Sequence, residues 1–187
     1  SDKLLSLFTA ILRINEVEGG AIAGSFASID LSTLVTDLGE SYAPALADGG
    51  RPMTFCVEPG IRVQGHAELL AQAISNLLDN SRVHTPGGTA IHLSLHMSDG
   101  IAIVAVSDDG PGIPATERQR VLHRFVRTEQ SRTTPGSGLG LSLVAAVAKA
   151  HHGTVVLDAL APGLRVALQI PLEPGWVFER SAGAGRP

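Results

Sequence analysis

Cysteine is nearly absent from this chain of 187 residues: Cys56 stands alone, inside the apolar run "MTFCV". One thiol cannot close an intrachain disulfide, which fits a reducing compartment, and a free cysteine in an apolar run is expected in the core. Aromatic residues are scarce as well, at 4%, so aliphatic side chains must fill whatever core a 44% hydrophobic chain builds. Positive charge is not in excess, and a formal net charge of −4 gives no electrostatic reason to expect nucleic acid as a partner. No uncharged apolar run reaches the length of a membrane span, and the N-terminus lacks the layout of a signal peptide. No internal repeat is visible. Two phosphate-binding signatures are missing too. GxxxxGK[ST] occurs nowhere, and "PGSGLGLSLV" is not the dinucleotide fingerprint: its third glycine is Gly140, one position early, and no strand leads directly into it.

What is present reads as strands and helices in mixed order. In residues 2–18, Leu4, Leu7, Ile11 and Ile14 form a heptad seam, and Leu5, Phe8 and Leu12 add a second apolar stripe. Such a helix wants neighbours on two sides, as in a bundle. The chain begins inside this pattern, so it is expected to be a piece of a longer protein. Gly19, Gly20 and Gly24 then form a hinge. "SFASIDL" reads as a short strand, followed by a helix to about Ala47 with Ser32 as its cap. "MTFCVE" and "IRVQG" read as strands joined by "PG", and His66 to about Thr85 as a helix with Leu70, Ile74, Leu77 and Ser81 near one face. Strands 89–97 and 101–107 meet at Asp99-Gly100, a strong hairpin signal. A short helix over Ala115–Phe125, a breaker-rich segment "RTEQSRTTPGSG" expected to be mobile, a helix over Leu139–His151 and strands 154–159 and 164–170 complete the pattern. The tail after Pro171 has only Trp176 and Phe178 to bury and is expected to fray. Hairpins mixed with helices predict an α+β two-layer sandwich, not a doubly wound sheet.

Three polar clusters interrupt the apolar pattern. In "NLLDNSRVHT", Asn76, Asn80 and His84 fall at i, i+4 and i+8, on one helical stripe. An amide oxygen such as that of Asn80 is a hard ligand, and suits Mg²⁺ where phosphates and waters supply the other positions. Taken alone, NxxxN is more often a solvated face. In "SDDGPGIP", Asp108 ends a strand and meets Gly110 and Gly112, which let backbone approach a flat ligand; a buried carboxylate there can accept from an exocyclic amine. A polar turn is the commoner fate of such a sequence. In "PGSGLGLSLV", Gly136, Gly138 and Gly140 open a helix whose free N–H groups and dipole suit phosphate, although glycine-rich helix starts also serve plain packing.

The order of these clusters is more specific than any one of them. From about Ser25 to Leu172 it resembles the ATP-binding catalytic domain of bacterial sensor histidine kinases, with the Bergerat fold of the gyrase, Hsp90, histidine kinase and MutL superfamily. That resemblance implies a mixed, mainly antiparallel sheet covered on one face by about three helices, with a bundle-type helix before it. It implies that Asn76 and Asn80 are the N box, with Asn80 on Mg²⁺ and His84 belonging to the same box. Asp108, Gly110 and Gly112 would be the G1 box, with Asp108 reading adenine. "RFVR" would be the F-box region, where Arg124 and Arg127 reach phosphates and Phe125 packs the lid. Gly136, Ser137, Gly138, Leu139, Gly140 and Leu141 would be the G2 box. The implied division is residues 1–19 as the end of a dimerisation and histidine-phosphotransfer helix, 25–172 as the catalytic domain and 173–187 as a tail.

The implied activity is binding of Mg-ATP and transfer of its γ-phosphoryl to a histidine on the dimerisation hairpin. None of the seven histidines has the context of an acceptor, so the chain is not expected to phosphorylate itself. The implied partners are that hairpin, a response regulator receiver domain and, in the full-length protein, a second copy. The implied place is cytoplasmic, in a parent that an N-terminal region can anchor in the inner membrane. The hydrolytic branches of that superfamily, and its anti-sigma-factor serine kinases, carry Glu where Asn76 stands. An amide has no basic lone pair with which to activate water, so transfer is favoured over hydrolysis. Three positions depart from the usual pattern: Val83 for a common lysine, His66 for an aspartate that opens the N-box helix, and His123 for a glutamate. Val83 leaves a second reading open, a protein-interaction module of the same fold that needs no nucleotide.

Overall fold

Burial with a period of two builds the sheet. β1 (Ala27–Asp30), β2 (Met53–Val57) and β3 (Arg62–Gly65) precede β4 (Ile91–Ser98), which buries Ile91, Leu93 and Leu95 and exposes His92 and His96. The turn to β5 (Ile101–Asp108) has φ of 50° at Asp99 and 78° at Gly100, the primed geometry whose twist suits a hairpin. β6 (Thr154–Ala159) and β7 (Leu164–Pro171) complete a five-stranded sheet in the order β2-β4-β5-β7-β6, antiparallel except where β2 joins β4. The registers align two rows on one face: Val57, Leu95, Val104, Leu168 and Val155, and beside it Phe55, Leu93, Val106, Val166 and Leu157. The computed structural model describes residues 26–118, 120–122 and 140–174.

Helices α1 (Leu31–Asp48), α2 (Ala67–His84) and, after the single turn α3 (Ala115–Arg118), α4 (Gly140–Ala150) close the core over those rows. The result is the expected α+β two-layer sandwich. Among the described residues the largest fully buried side chains are Leu and Ile, as a chain poor in aromatics requires. α2 keeps its two asparagines because packing outweighs propensity. Leu70, Ile74, Leu77 and Leu78 are at most 2% exposed. Each contributes about 1.5–3 kcal/mol, against roughly 0.6 kcal/mol that each Asn costs relative to Ala.

Several expectations are corrected. "MTFCVE" and "IRVQG" are strands as expected, but the chain changes sheets between them: β3 pairs antiparallel with β1 in a separate two-stranded sheet. The connection between β2 and β3 is folded over the first turn of α1. There Ser32 Oγ donates to the Glu58 carbonyl at 2.6 Å and accepts from the Ile61 amide at 2.9 Å, and the Leu31 amide donates to the Ile61 carbonyl at 2.9 Å. Ser32 therefore does not cap α1. Asp30 does, its Oδ1 accepting from the Thr33 amide at 2.9 Å. Cys56 is exposed, not buried, because β2 is an edge strand and Cys56, opposite Ser94, faces away from the helices. The helix expected over Ala115–Phe125 is α3 followed by a 3-10 turn at Arg120–Leu122. The helix over 2–18, the segment "RTEQSRTTPGSG" and the tail with Trp176 and Phe178 lie outside the described residues.

α2 starts without a side-chain cap of its own. The amide of His66, its N-cap residue, donates instead to Nε2 of His151 at 3.0 Å. Nδ1 of His151 donates to the Val147 carbonyl at 2.7 Å, and the ring stacks on Phe26 with centroids 4.7 Å apart. These partners require a neutral ring with its proton on Nδ1. Burial holds the His151 pKa below the ordinary 6.5; the Val147 carbonyl opposes that shift, and His66 and His152 add to it. The native state thus binds its proton less readily than the unfolded chain, so stability is full above about 6.5 and declines as the pH falls through the lower native value. Urea midpoints are expected to fall between pH 7.5 and 5.5 in the wild type and to fall less in His151→Gln. Equal falls in both would remove His151 as the cause.

Candidate functional site

The C-terminal end of β5 and one side of α2 meet at Asp108. Its Oδ1 accepts from the Gly110 amide at 3.0 Å, and the Ser81 hydroxyl and Leu164 amide lie near enough to the carboxylate to favour its charged form. Burial raises the Asp108 pKa above the ordinary carboxylate value, against the lowering effect of those three donors. Gly110 has no room for a side chain: a Cβ there would lie 2.8 Å from Thr85 Cγ2 and 2.9 Å from Asp108 Oδ1. Gly112, at φ 70°, sits against the β6–β7 turn, where a Cβ would lie 2.9 Å from the Gly163 carbonyl oxygen. A half-buried carboxylate with glycine backbone on one side can hold a donor on the edge of a flat ligand.

Directly before Ser81 along α2, and about one and a half turns before it, Asn80 and Asn76 face the start of α4. A Cβ on Gly140 would lie 3.2 Å from Asn80 Oδ1 and 3.7 Å from Asn76 Oδ1. Asn80 Nδ2 is buried and makes no hydrogen bond among the described residues. The first N–H groups of α4, an 11-residue helix, open beside these two amides. Among the described residues no group of three or more His, Cys, Asp or Glu side chains is placed to hold a metal ion. The oxygens at this end are amide oxygens, which suit a hard cation that brings most of its own ligands as phosphate and water.

The structure thus sets Asp108 and Gly110 beside the end of α2 and Gly140 beside Asn76 and Asn80, with Gly112 against the β6–β7 turn. Leu141 is half-buried at the start of α4, packed on the core, and His84 is exposed on the last turn of α2. Arg124, Arg127, Gly136, Ser137, Gly138 and Leu139 lie outside the described residues. Ser81 and Thr85 are site residues that the sequence reading passed over. Both are only 7% exposed. The signal was available: a Ser and a Thr four apart continue the apolar face of Leu77, where buried hydroxyls need partners.

Residues 65–174 match the family described as histidine kinase-, DNA gyrase B- and HSP90-like ATPase. The chain is 44% identical over 105 residues to the signal transduction histidine-protein kinase/phosphatase MprB of Mycolicibacterium smegmatis, covering 56% of this chain and 21% of that protein. A solved mycobacterial sensor histidine kinase MprB superposes with a TM-score of 0.69 at 31% identity, over 80% of this chain and 99% of that one. Full-length ShkA in complex with AMPPNP superposes with a TM-score of 0.79 at 26% identity, over 91% of this chain and 36% of that one. The chain spans between 21% and 37% of the length of three curated histidine kinases that it matches, so it corresponds to a part of each.

The closeness at Gly110 has a measurable consequence. Gly110→Ala is expected to destabilise the domain by about 1–3 kcal/mol in urea unfolding. Gly87→Ala, where an added Cβ meets nothing within 4 Å, is expected to stay within about 0.5 kcal/mol of wild type. Equal stability of the two variants would show that Thr85 and Asp108 yield freely.

Proposed function

The chain belongs to the family of histidine kinase-, DNA gyrase B- and HSP90-like ATPases, and on that premise we propose that its site binds Mg-ATP for transfer of the γ-phosphoryl group to a histidine of a partner hairpin. The observation that carries this reading is the double use of α2. Through Ser81 it stands beside the carboxylate of Asp108, and through Asn80 it faces the start of α4. A nucleotide needs those two ends: an acceptor for the base and uncharged donors with a helix N-terminus for the phosphates.

In this reading Asp108 accepts from the 6-amino group of adenine, and Gly110 and Gly112 let the ring approach the backbone. Asn80, with Asn76 beside it, holds Mg²⁺ through its amide oxygen, and the ion neutralises phosphate charge when bound. Gly140 and Leu141, following Gly136, Ser137, Gly138 and Leu139, aim helix N–H groups at the phosphates. His84, Arg124 and Arg127 add polar and cationic contacts from the end of α2 and the lid. Phosphoryl transfer asks mainly for positioning and charge neutralisation. The bond from the γ-phosphorus to its bridging oxygen breaks, a bond to an imidazole nitrogen forms, and ADP leaves. Asn76 cannot take a proton from water, so the bound phosphoryl group is kept for the imidazole. The partners in this reading are the dimerisation hairpin, a second copy in the full-length protein and a response regulator receiver domain. The site acts in the cytoplasm.

Titration calorimetry of ATP into the chain, with and without Mg²⁺, tests the site. Wild type is expected to bind, Asp108→Asn to lose about 10–100-fold in affinity and Asn80→Ala to lose the dependence on Mg²⁺. Wild-type protein that binds no ATP would pass the site to the nucleotide-independent reading. Phosphate release from ATP is expected to stay near background in a coupled assay; rapid steady release would make the chain a hydrolase despite Asn76.

A further inference from the structure

Arg51, in the loop between α1 and β2, places its guanidinium where both helices end. Nη1 donates to the Gly49 carbonyl at 2.9 Å, at the C-cap of α1. Nη2 and Nε donate to the Thr85 carbonyl at 2.6 and 3.3 Å, and Nε also to Thr85 Oγ1 at 3.2 Å, at the C-cap of α2. A planar cation across two helix C-termini satisfies carbonyls that the helices leave open and meets the negative ends of both dipoles. Thr85 has little freedom left. Its hydroxyl donates to the Ser81 carbonyl at 2.6 Å while accepting from Arg51, and its methyl lies against Gly110. Gly110 in turn donates its amide to Asp108 Oδ1 at 3.0 Å.

We infer that Arg51 is a positioning residue for base recognition: through Thr85 and Gly110 it fixes the Asp108 carboxylate against the adenine amine. This rests on the nucleotide reading above and adds a specificity determinant outside the pocket. Arg51 does not itself reach the nucleotide. The fork matters more than the charge, because three donor nitrogens act at once and an ammonium offers one point. A shift of the carboxylate by a fraction of an ångström weakens its bond to the exocyclic amine and leaves the phosphate end, held by α4 and the asparagines, as it was.

The test compares two ligands in calorimetry with Mg²⁺: ATP, and purine riboside triphosphate, which lacks the 6-amino group. Arg51→Lys is expected to lower ATP affinity about tenfold, the scale of one charge-assisted hydrogen bond, and to leave the affinity for purine riboside triphosphate within about twofold, so that the preference for ATP collapses. Thr85→Ser, which keeps the hydroxyl and removes the methyl facing Gly110, is expected to narrow the same ratio and gives the answer if Arg51→Lys does not fold. A parallel loss for both ligands, or an unchanged ratio in the folded variants, overturns the inference and reduces Arg51 to a brace for two helices. Failure of the wild type to bind either ligand overturns the nucleotide reading itself, and the role of Arg51 with it. Wild-type binding with no preference for ATP overturns only the link from Asp108 to the amine, and with it this inference.

Discussion

Burial of Leu70, Ile74, Leu77 and Leu78 against the sheet sets the rotation of α2 about its axis, and that rotation sets the site. Residues on a helix turn by about 100° per position. Once the leucines face the aliphatic rows, Ser81 has one place to go, beside Asp108, and Asn76 and Asn80 have one place to go, beside Gly140. The polar stripe is thus aimed by contacts that have no chemistry of their own. Close packing makes the aim tight, because a core at crystal-like density does not let a helix roll.

Much of this was legible from the chain alone, for reasons that differ by element. β4, its hairpin and β5 follow from strict alternation and an Asp-Gly pair, both local signals. The core face of α2 follows from its period. That β2 and β3 join different sheets was not legible, because it depends on Ser32 reaching Glu58 and Ile61 about thirty residues along the chain. Asp30 took the cap from Ser32 by a shift of two residues, the usual uncertainty at a helix start. Cys56 was misplaced because an apolar run says nothing about which strand will stand at the edge. In the site, the three polar clusters were visible as patterns. Arg51 was not, since its role arises from two helix ends brought together in space.

Charge is distributed along the proposed site in a way that suits its ligand. The carboxylate stands at the end given to the base, and burial makes it reluctant to ionise without a donor. The phosphate end is built, among the described residues, from neutral amides and a helix N-terminus. His66, in the place of a conventional capping aspartate, fits the same picture: the first turn of α2 is served by an uncharged imidazole from α4.

That borrowed cap has a further meaning, in the order of assembly. The hydrogen bond from His66 to His151 spans 85 positions of sequence. A helix capped by its own neighbour can be capped at once, whereas the cap of α2 waits for a chain closure of that length. Such a contact is expected to form late and to weigh on the unfolding limb of the kinetics more than on the folding limb. Replacing His151 by a residue that accepts no hydrogen bond should leave refolding rates nearly as they are and speed unfolding. In that sense His151 works as a latch on an already assembled domain, joining the two helices of the site after each has found the sheet.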